Sequence, residues 1–483
     1  MMPRVMRTEQ QIVGSKRKRW IKEHTLTIVL TGAAAVFIML LPSLSYEGRV
    51  SLFALAFATV LWTTTNINAA FSALLSVVVL ILLRGASQEL LFDSLASDIV
   101  WLMIGTFILG GAMQITGLAQ RMSASVLKRA KTVEGLLWLL TAVLQPLALF
   151  IPSTSGRAAV TIPLFHGLSD TLKDKRIVKA LALLIPTVIL VSTISTLIGA
   201  GSHLIAVDLL GQIAGEHISF LQWMVWGLPF GIAASFGSGF MVMRLFLNRE
   251  LLRQRLNEKS LASVESRRLS ISRDELFTLV IIGFMVVGWL TESLHGLDIA
   301  MVTMVGALLL TMPKVGAISW KDGLKHVSWN LILFVGAALA LGKALTESGA
   351  SEWIKDSLFK VTGSLGDASM FIVLLVIILL SLTSHLYMTS HTTRAVVLVP
   401  PFLYLASVLE LNPTAVLFLA TVGMDYCLTF PVSSKALLMF QEMDVETFQP
   451  KDLLRLSGLL GLFHVLLILV FYYTYWQWTG LSL

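Results

Sequence analysis

The reading of this chain turns on Ser390–Phe402, SHTTRAVVLVPPF. It follows Met370–Leu382, MFIVLLVIILLSL, an apolar run suited to lipid, and puts a histidine and an arginine where that run ought to continue. Nearly the same spelling occurs at Ser153–Phe165, STSGRAAVTIPLF. With Arg157 aligned to Arg394, identities fall at Ser153/Ser390, Ala158/Ala395, Val160/Val397, Pro163/Pro400 and Phe165/Phe402.

Neither segment reads as a simple crossing, which needs ~20 apolar residues. Gly135–Ile151 is long enough to go deep, but after Arg157 only about a dozen residues precede the charged run SDTLKDKRIVK. Segments 135–168 and 367–409 therefore read as re-entrant hairpins that enter, turn at the Ser/Thr-rich tip and leave on the same side.

Composition sets the class. The 483 residues are 56% hydrophobic and 13% charged, with a mean hydropathy of +0.80. A soluble domain carries about 25% charged residues, so the chain reads as an all-α polytopic membrane protein. The net charge of +7 does not imply nucleic acid, because Lys and Arg gather at the N-terminus and in loops, where they hold loops in the cytoplasm. No Cys/His metal spacing, P-loop or nucleotide fingerprint is present. The one cysteine, Cys427, excludes an intrachain disulfide. The basic first 22 residues carry no cleavage site of small residues, so the first span reads as a retained anchor rather than a signal peptide.

A hydropathy window gives spans at 24–42, 48–64, 66–83, 98–118, 178–210, 220–246, 275–293, 297–313, 329–349, 411–440 and 453–476. That makes about 11 transmembrane helices plus the two hairpins. Seven Lys/Arg in residues 1–22 place the N-terminus in the cytoplasm, and loops 119–133, 169–177, 247–274 and 314–325 are basic. Loops 211–219 and 292–296 carry no Lys or Arg and fall outside, as does the C-terminus. The protein is expected in the cell (inner or plasma) membrane.

The likeness extends beyond the tips. WLMIGTFILGGAMQITGLA (101–119) parallels LILFVGAALALGKALTESGA (331–350). Each hairpin precedes a long span broken by small polar residues and one base, Gly201-Ser202-His203 in the first and Ser433-Ser434-Lys435 in the second. The organisation is a cytoplasmic N-terminus and first span (1–45), repeat 1 (46–247, hairpin 135–168, broken helix 178–210), a cytoplasmic linker (248–274) and repeat 2 (275–483, hairpin 367–409, broken helix 411–440). Five crossings per repeat is an odd number, so the repeats are expected to be inverted, as is common in secondary transporters.

Unwound backbone survives at membrane depth only where it lines a cavity or is buried in protein. At each tip a Ser/Thr stands just before a return helix, where it caps the N-terminus. The free N–H groups and the helix dipole there favour negative charge. With one arginine apiece, the two tips make a site for an anion, built from Ser153, Thr154, Ser155 and Arg157 and from Ser390, His391, Thr392 and Arg394.

At these residues the sequence resembles the divalent anion/sodium symporter family, within the wider ion-transporter superfamily. The likeness covers about 46–480. Members have two hairpins with Ser-Asn-Thr motifs, each followed by a helix broken at a Gly-Thr-Pro-Pro-Asn-like loop. The corresponding positions here are Ser153-Thr154-Ser155 and Ser390-His391-Thr392, with breaks at Gly201–His203 and Ser433–Lys435. The resemblance implies a homodimer in which a mobile domain of hairpins and broken helices moves in an elevator-like way against a scaffold. It also implies sodium as coupling ion, with Ser153, Gly201 and Ser390 as candidate ligands, and no other cofactor. The amide of both triplets is absent here, and Arg157, His203, His391, Arg394 and Lys435 are gained. A fixed guanidinium supplies the charge a bound sodium ion otherwise gives. Ser-Thr-Ser-Gly-Arg is also similar to the Ser-Asn-Thr-Ala-Arg spelling of the family's citrate/succinate-type and chloroplast-type exchangers.

Single residues weigh differently. A charge at a helix centre costs ~2.5–3.5 kcal/mol, and matched arginines meeting that cost twice argue for function over snorkelling. His203 and Lys435 stand at matched breaks, Lys435 with the alternative of pairing with Glu442 or Asp444. Asp425, within TVGMDYCLTF, either pairs with Arg394 or Lys435 or carries a proton; Asp208 is a weaker candidate of the same kind. His385 is expected to bond a helix carbonyl. Gln114, Lys343 and Glu347 fit span ends, and Trp223, Trp226, Trp476 and Trp478 fit interfacial belts.

The expected function is secondary active transport of a small divalent anion, most simply a di- or tricarboxylate, coupled to sodium or protons. The rivals are sodium-independent anion exchange, transport of sulfate or another inorganic oxyanion, and, from another class, an anion channel. An enzyme built on Ser153, His391 and Asp425 ranks last, since no nucleophile elbow supports it.

Overall fold

The computed structural model describes residues 25–119, 121, 129–172, 174–256, 271–362, 369–445 and 447–483. The basic residues 1–22, Lys128, Lys173, residues 257–270 of the expected linker and the first two residues of segment 367–409 lie outside the described residues. Among the described residues every regular element is helical, and an isolated antiparallel bridge joins Thr132 to Arg255. Six helical stretches are long and apolar enough to cross a membrane, Lys175–Ser195 and Phe220–Phe246 among them, and shorter apolar helices accompany them.

The described residues open with α1 (Thr25–Met39), α2 (Tyr46–Thr64), α3 (Ala69–Leu82), α4 (Glu89–Leu95) and α5 (Asp98–Thr116). The first hairpin segment folds as α6 (Val133–Leu144), a short α7 (Leu147–Phe150) and, after a turn at 151–153, α8 (Thr154–Leu172). The broken span follows as α9 (Lys175–Val191), two 3-10 turns over Thr193–Gly199 and α10 (Gly201–Ala214). Next come α11 (Phe220–Phe246), α12 (Arg249–Arg253), α13 (Arg273–Leu290), α14 (Glu292–His295), α15 (Ile299–Leu310), α16 (Trp320–Lys325), α17 (Trp329–Glu347) and α18 (Ala350–Thr362). The second hairpin segment is α19 (Met370–Thr383), a 3-10 turn at Ser384–Leu386 and α20 (His391–Val408). Its broken span is α21 (Pro413–Asp425), a 3-10 turn at Pro431–Ser433 and α22 (Lys435–Gln441), and α23 (Pro450–Phe471) closes the series. The helices α4, α12, α16 and α18 were not expected. They are short and polar enough that no hydropathy window reports them.

Helix starts follow local chemistry. Asn68, Ser97, Asp174, Asn412 and Ser434 accept from backbone N–H groups at the openings of α3, α5, α9, α21 and α22, as short polar caps do. Capping boxes open α11 at Ser219/Gln222 and α13 at Ser272/Glu275. Prolines stand inside both return helices, Pro163 in α8 and Pro400 in α20.

The described residues form two compact units, those within 1–95 and 333–357 and those within 96–332 and 358–483. In the first, Ser45 Oγ donates to Ser348 O at 3.1 Å and Trp353 Nε1 to Pro42 O at 3.1 Å. Lys343 and Glu347 make an exposed pair at 3.7 Å, in keeping with a scaffold role. The second unit holds both hairpins and both broken spans. There α8 packs on α9 and α20 on α21, while α22 packs on α8 and α10 on α20. Each return helix thus lies against one half of each broken span.

Candidate functional site

The first break runs over Ser192–Ala200, while Gly201, Ser202 and His203, expected to form it, open α10 instead; side chains supply partners for the break's peptide groups. Arg157, in the first turn of α8 and fully buried, donates from Nη2 to Gly199 O at 2.9 Å and from Nη1 to Ser192 Oγ at 3.3 Å. Trp223 Nε1 donates to Ile194 O at 3.0 Å. Gln145 of the hairpin donates to Ser195 Oγ at 2.5 Å and accepts from Ser235 Oγ at 2.7 Å. The break lies against a notch in α11, because a Cβ at Gly227 would stand 2.1 Å from Ile194 O.

The second break repeats the device. Arg394, in the first turn of α20 and fully buried, donates from Nη1 to Met424 O at 2.5 Å and to Tyr426 O at 3.4 Å. Tyr426 OH donates to Ser457 O at 2.6 Å. His385 Nδ1 lies 2.7 Å from Leu382 O, the helix carbonyl expected for it, and its Nε2 lies 2.7 Å from Thr429 Oγ1. The tips match in detail: Ser153 Oγ accepts from Gly156 N at 3.2 Å and pairs with Ser155 Oγ at 3.0 Å. Ser390 Oγ accepts from Thr393 N at 3.3 Å and pairs with Thr392 Oγ1 at 3.0 Å. His391 Nε2 lies 2.9 Å from Cys427 Sγ in the break. Thr154 stands partly buried between the paired serines of its tip.

The two breaks meet at Asp425. Its Oδ2 accepts from Thr193 Oγ1 at 2.9 Å and lies 2.9 Å from His203 Nε2, whose Nδ1 is 3.1 Å from Thr196 O. His203 is fully buried and also rests on the Trp223 ring, centroids 4.9 Å apart. Asp425 is within electrostatic reach of both Arg157 and Arg394. Several buried polar atoms near the breaks have no partner among the described residues: Nε of Arg157, Nε and Nη2 of Arg394, and the hydroxyls of Ser202 and Ser433. All five are N–H or O–H donors, three on the tip arginines and two on Ser202 and Ser433 at or beside the breaks. Such groups cost about 1–3 kcal/mol each when unmet and mark functional sites.

A family profile described as the sodium:sulfate symporter transmembrane region matches residues 19–482. The chain belongs to the divalent anion/sodium symporter family. Among its relatives are a sodium-dependent dicarboxylate transporter of Staphylococcus saprophyticus and a citrate/succinate antiporter of Escherichia coli K12. The first is 23% identical over 77% of this chain and 76% of the relative, the second 21% identical over 78% of each. The solved YdaH transporter of Alcanivorax borkumensis shares the fold with a TM-score of 0.56 at 14% identity, covering 90% of this chain and 99% of that one. The family and these relatives are transporters, and this chain is a multi-pass membrane transporter of the symporter family.

Several expectations for this symporter-family chain need amendment. Asp425 is hydrogen-bonded to His203 and Thr193, not to Arg394 or Lys435. The reason is that Arg394 turns to the carbonyls at the end of α21, and Lys435 is exposed on α22, with no ion pair to Glu442 or Asp444 among the described residues. Ser153, His391 and Asp425 do not form a hydrogen-bonded triad, since each is held by other partners. Trp223, Trp226 and Trp476 are buried ring-to-ring around Phe418 instead of sitting in a belt; Trp478 is 85% exposed. Gln145, Thr193, Thr429 and Ser457 went unnoticed in the sequence, and Trp223 was placed in a belt. Only Gln145 gave a signal, as an amide inside the apolar run 135–151.

The three positions expected to ligate sodium, Ser153, Gly201 and Ser390, stand at the two tips and at the start of α10. Ser153 and Ser390 hydroxyls are taken by caps and by their neighbours. Gly201 opens α10 with its Cα facing Leu331, Met103 and Thr392 side chains. The free carbonyls nearby receive guanidinium N–H groups, so a positive charge already occupies each break.

One cavity of the second unit, about 540 Å³, reaches the first break at Leu197 and Leu204. Its lining includes Asp98, Asp208, His217, Glu292 and Asp298. Asp208 accepts from Gln212 Nε2 at 2.5 Å.

Proposed function

We propose that this protein carries small multiply charged anions, di- or tricarboxylates first among them, through the site where the hairpin tips meet the breaks. One observation carries the reading: two fully buried arginines at matched positions, each bonded to a break and each left with N–H without a partner, Nε on Arg157 and Nε and Nη2 on Arg394. A guanidinium with free N–H groups is a fork suited to carboxylate, and Ser202 and Ser433 add neutral donors. The relatives' dicarboxylate and citrate/succinate names support that substrate class. Sulfate and similar oxyanions use the same donors and are the second substrate reading.

The fixed guanidinium groups on the break carbonyls support transport without sodium. The crosswise packing of α8 with α22 and α10 with α20 supports the tips and breaks moving as one body in an elevator-like cycle, and the homodimer implied by the resemblance belongs to this reading. The test is counterflow in proteoliposomes: labelled succinate, citrate or sulfate outside, unlabelled anion inside, sodium present or replaced by choline. A carrier gives saturable uptake accelerated by internal anion at both ionic compositions. Uptake indifferent to internal anion would leave a channel, and a strict sodium requirement would overturn the sodium-independent reading.

A further inference from the structure

We propose that α15 and α16 form a seat for an anionic phospholipid, with an acyl chain in the groove along α15 and the headgroup phosphate on Lys314 and Lys321. Such a seat does not depend on which solute the chain carries.

The groove has the form of a hydrocarbon site. Val305, Leu308, Leu309 and Met312 line it at the three- and four-residue spacing that puts side chains on one face of a helix, over about 10 Å of α15. Pro313 and Trp320 close its end, and the space bordered by these residues is about 630 Å³. The polar side-chain atoms of the lining are the Trp320 indole N–H and the Thr311 hydroxyl, and Thr311 Oγ1 donates to Ala307 O at 2.8 Å. The opposite face of α15, with Val302, Thr303, Gly306 and Leu310, is buried, since the helix packs there on α5 and α13. Leu308, by contrast, is 54% exposed and Met312 49%. A contiguous exposed apolar face of this kind is a surface for something to cover.

The lysines choose the headgroup. Lys314 follows Pro313 and Lys321 follows Trp320, so each stands one Cα step, about 3.8 Å, from the groove wall. The loop between them folds back on the end of α15, where Gly316 N donates to Met312 O at 2.7 Å and Ile318 N to Leu310 O at 3.2 Å. Both lysines therefore stand at the same end of the groove. They are exposed, and neither makes an ion pair among the described residues. Lys325 differs, because its Nζ donates to Asp322 Oδ1 at 2.7 Å. Ser319 Oγ donates to Asp322 Oδ2 at 2.6 Å, so the one acid of residues 314–325 is already held. An apolar face, then a tryptophan, then free lysines is the order in which lipid tails, interface and headgroups are met. Basic clusters beside a span on the cytoplasmic side bind anionic lipid, and these lysines are among those that assign the loop to that side. A second copy of the chain is disfavoured as occupant. A two-fold interface sets one patch against itself, which here brings unpaired lysines to unpaired lysines with no free acid in the loop.

Trp320 supplies the probe. The full chain and its Trp320→Phe variant are reconstituted in phosphatidylcholine vesicles with a minor share of phosphatidylglycerol. One lipid or the other is brominated in its acyl chains to quench indole fluorescence, and the difference between the two proteins isolates Trp320. Each lysine near an anionic surface is worth about fivefold in affinity. Phosphatidylglycerol should therefore hold the site over phosphatidylcholine by roughly thirtyfold at low salt, and by less at high salt, where the charges are screened. Lys314→Gln combined with Lys321→Gln should bring that preference to about one, and arginine at both positions should keep it, each set read against its own Trp320→Phe protein. Thermal unfolding at the wild-type temperature shows that these surface variants are folded. Soluble glycerol phosphate, a headgroup without tails, should not displace the brominated lipid; displacement would reveal an anion site without a lipid and overturn the proposal. Equal quenching by the two lipids overturns it, as does a preference that survives in the double glutamine variant. Quenching by neither lipid also overturns it, and Leu308→Cys copies that then join through a disulfide would identify a second copy as the occupant.

Discussion

At the scale of single residues, Arg157 and Arg394 do two jobs with one group. Arg157 donates to Gly199 O and Ser192 Oγ and Arg394 to Met424 O and Tyr426 O, and each keeps N–H without a partner. Replacing either with glutamine removes a charge worth about 1.5–3 kcal/mol per hydrogen bond, so the initial rate of succinate counterflow should fall by roughly tenfold to a hundredfold. Lysine keeps the charge but loses the fork, and should recover only a small part of the rate. Equal rates in wild type and both glutamine variants would remove the arginines from the anion site. The serine caps weigh less: Ser153→Ala or Ser390→Ala should cost about 1 kcal/mol of stability, read as a small drop in the melting temperature in detergent. These residues were legible in the sequence because a charge in an apolar run is costly, and the same cost twice at matched positions is informative. Their carbonyl partners were not legible, since a backbone acceptor leaves no mark in the alphabet.

At the scale of elements, the breaks are held open by neighbours as much as by their own sequence. Gly227 gives the first break its seat, and Trp223 and Gln145 satisfy Ile194 and Ser195. Gly227→Leu should displace Ile194 and destabilise the fold by about 1–3 kcal/mol as an overpacked site does, with counterflow falling along with stability. Gln145→Leu leaves two buried hydroxyls short of a partner, at about 1–3 kcal/mol. Trp223→Phe keeps the ring and removes only the donor, so it should be the mildest of the three. Thermal unfolding in detergent ranks them, and a Gly227→Leu protein as stable as wild type would show that the break does not depend on α11. Segment lengths and the Ser/Thr before each return helix pointed to the turns at 151–153 and 387–390, while the first break lies upstream of the Gly201–His203 expected for it. The tryptophans were misjudged because burial against Phe418 or exposure at an interface depends on which helices surround α11, and hydropathy does not report that.

At the scale of the molecule, the loop charges predict which ends of the helices share a side. The one cysteine, Cys427, is buried, so single added cysteines give a clean readout. Arg176→Cys should react with an impermeant maleimide only after the cytoplasmic face is opened. Gly215→Cys and Leu294→Cys, the latter at a side chain 82% exposed, should react on intact cells. Labelling of all three from one side would refute the topology and the inversion of the repeats with it. Apolar run length, basic loops and the doubled Ser-x-x-x-Arg tips are local properties, written in consecutive residues. They were enough to determine a polytopic helical transporter with an arginine in the first turn of each of two matched helices. The partners of Asp425 were decided only by the tertiary structure. His203 lies 222 residues away in sequence, and only the packing of one broken span's halves against the return helix of the other hairpin brings an imidazole rather than a guanidinium to that carboxylate.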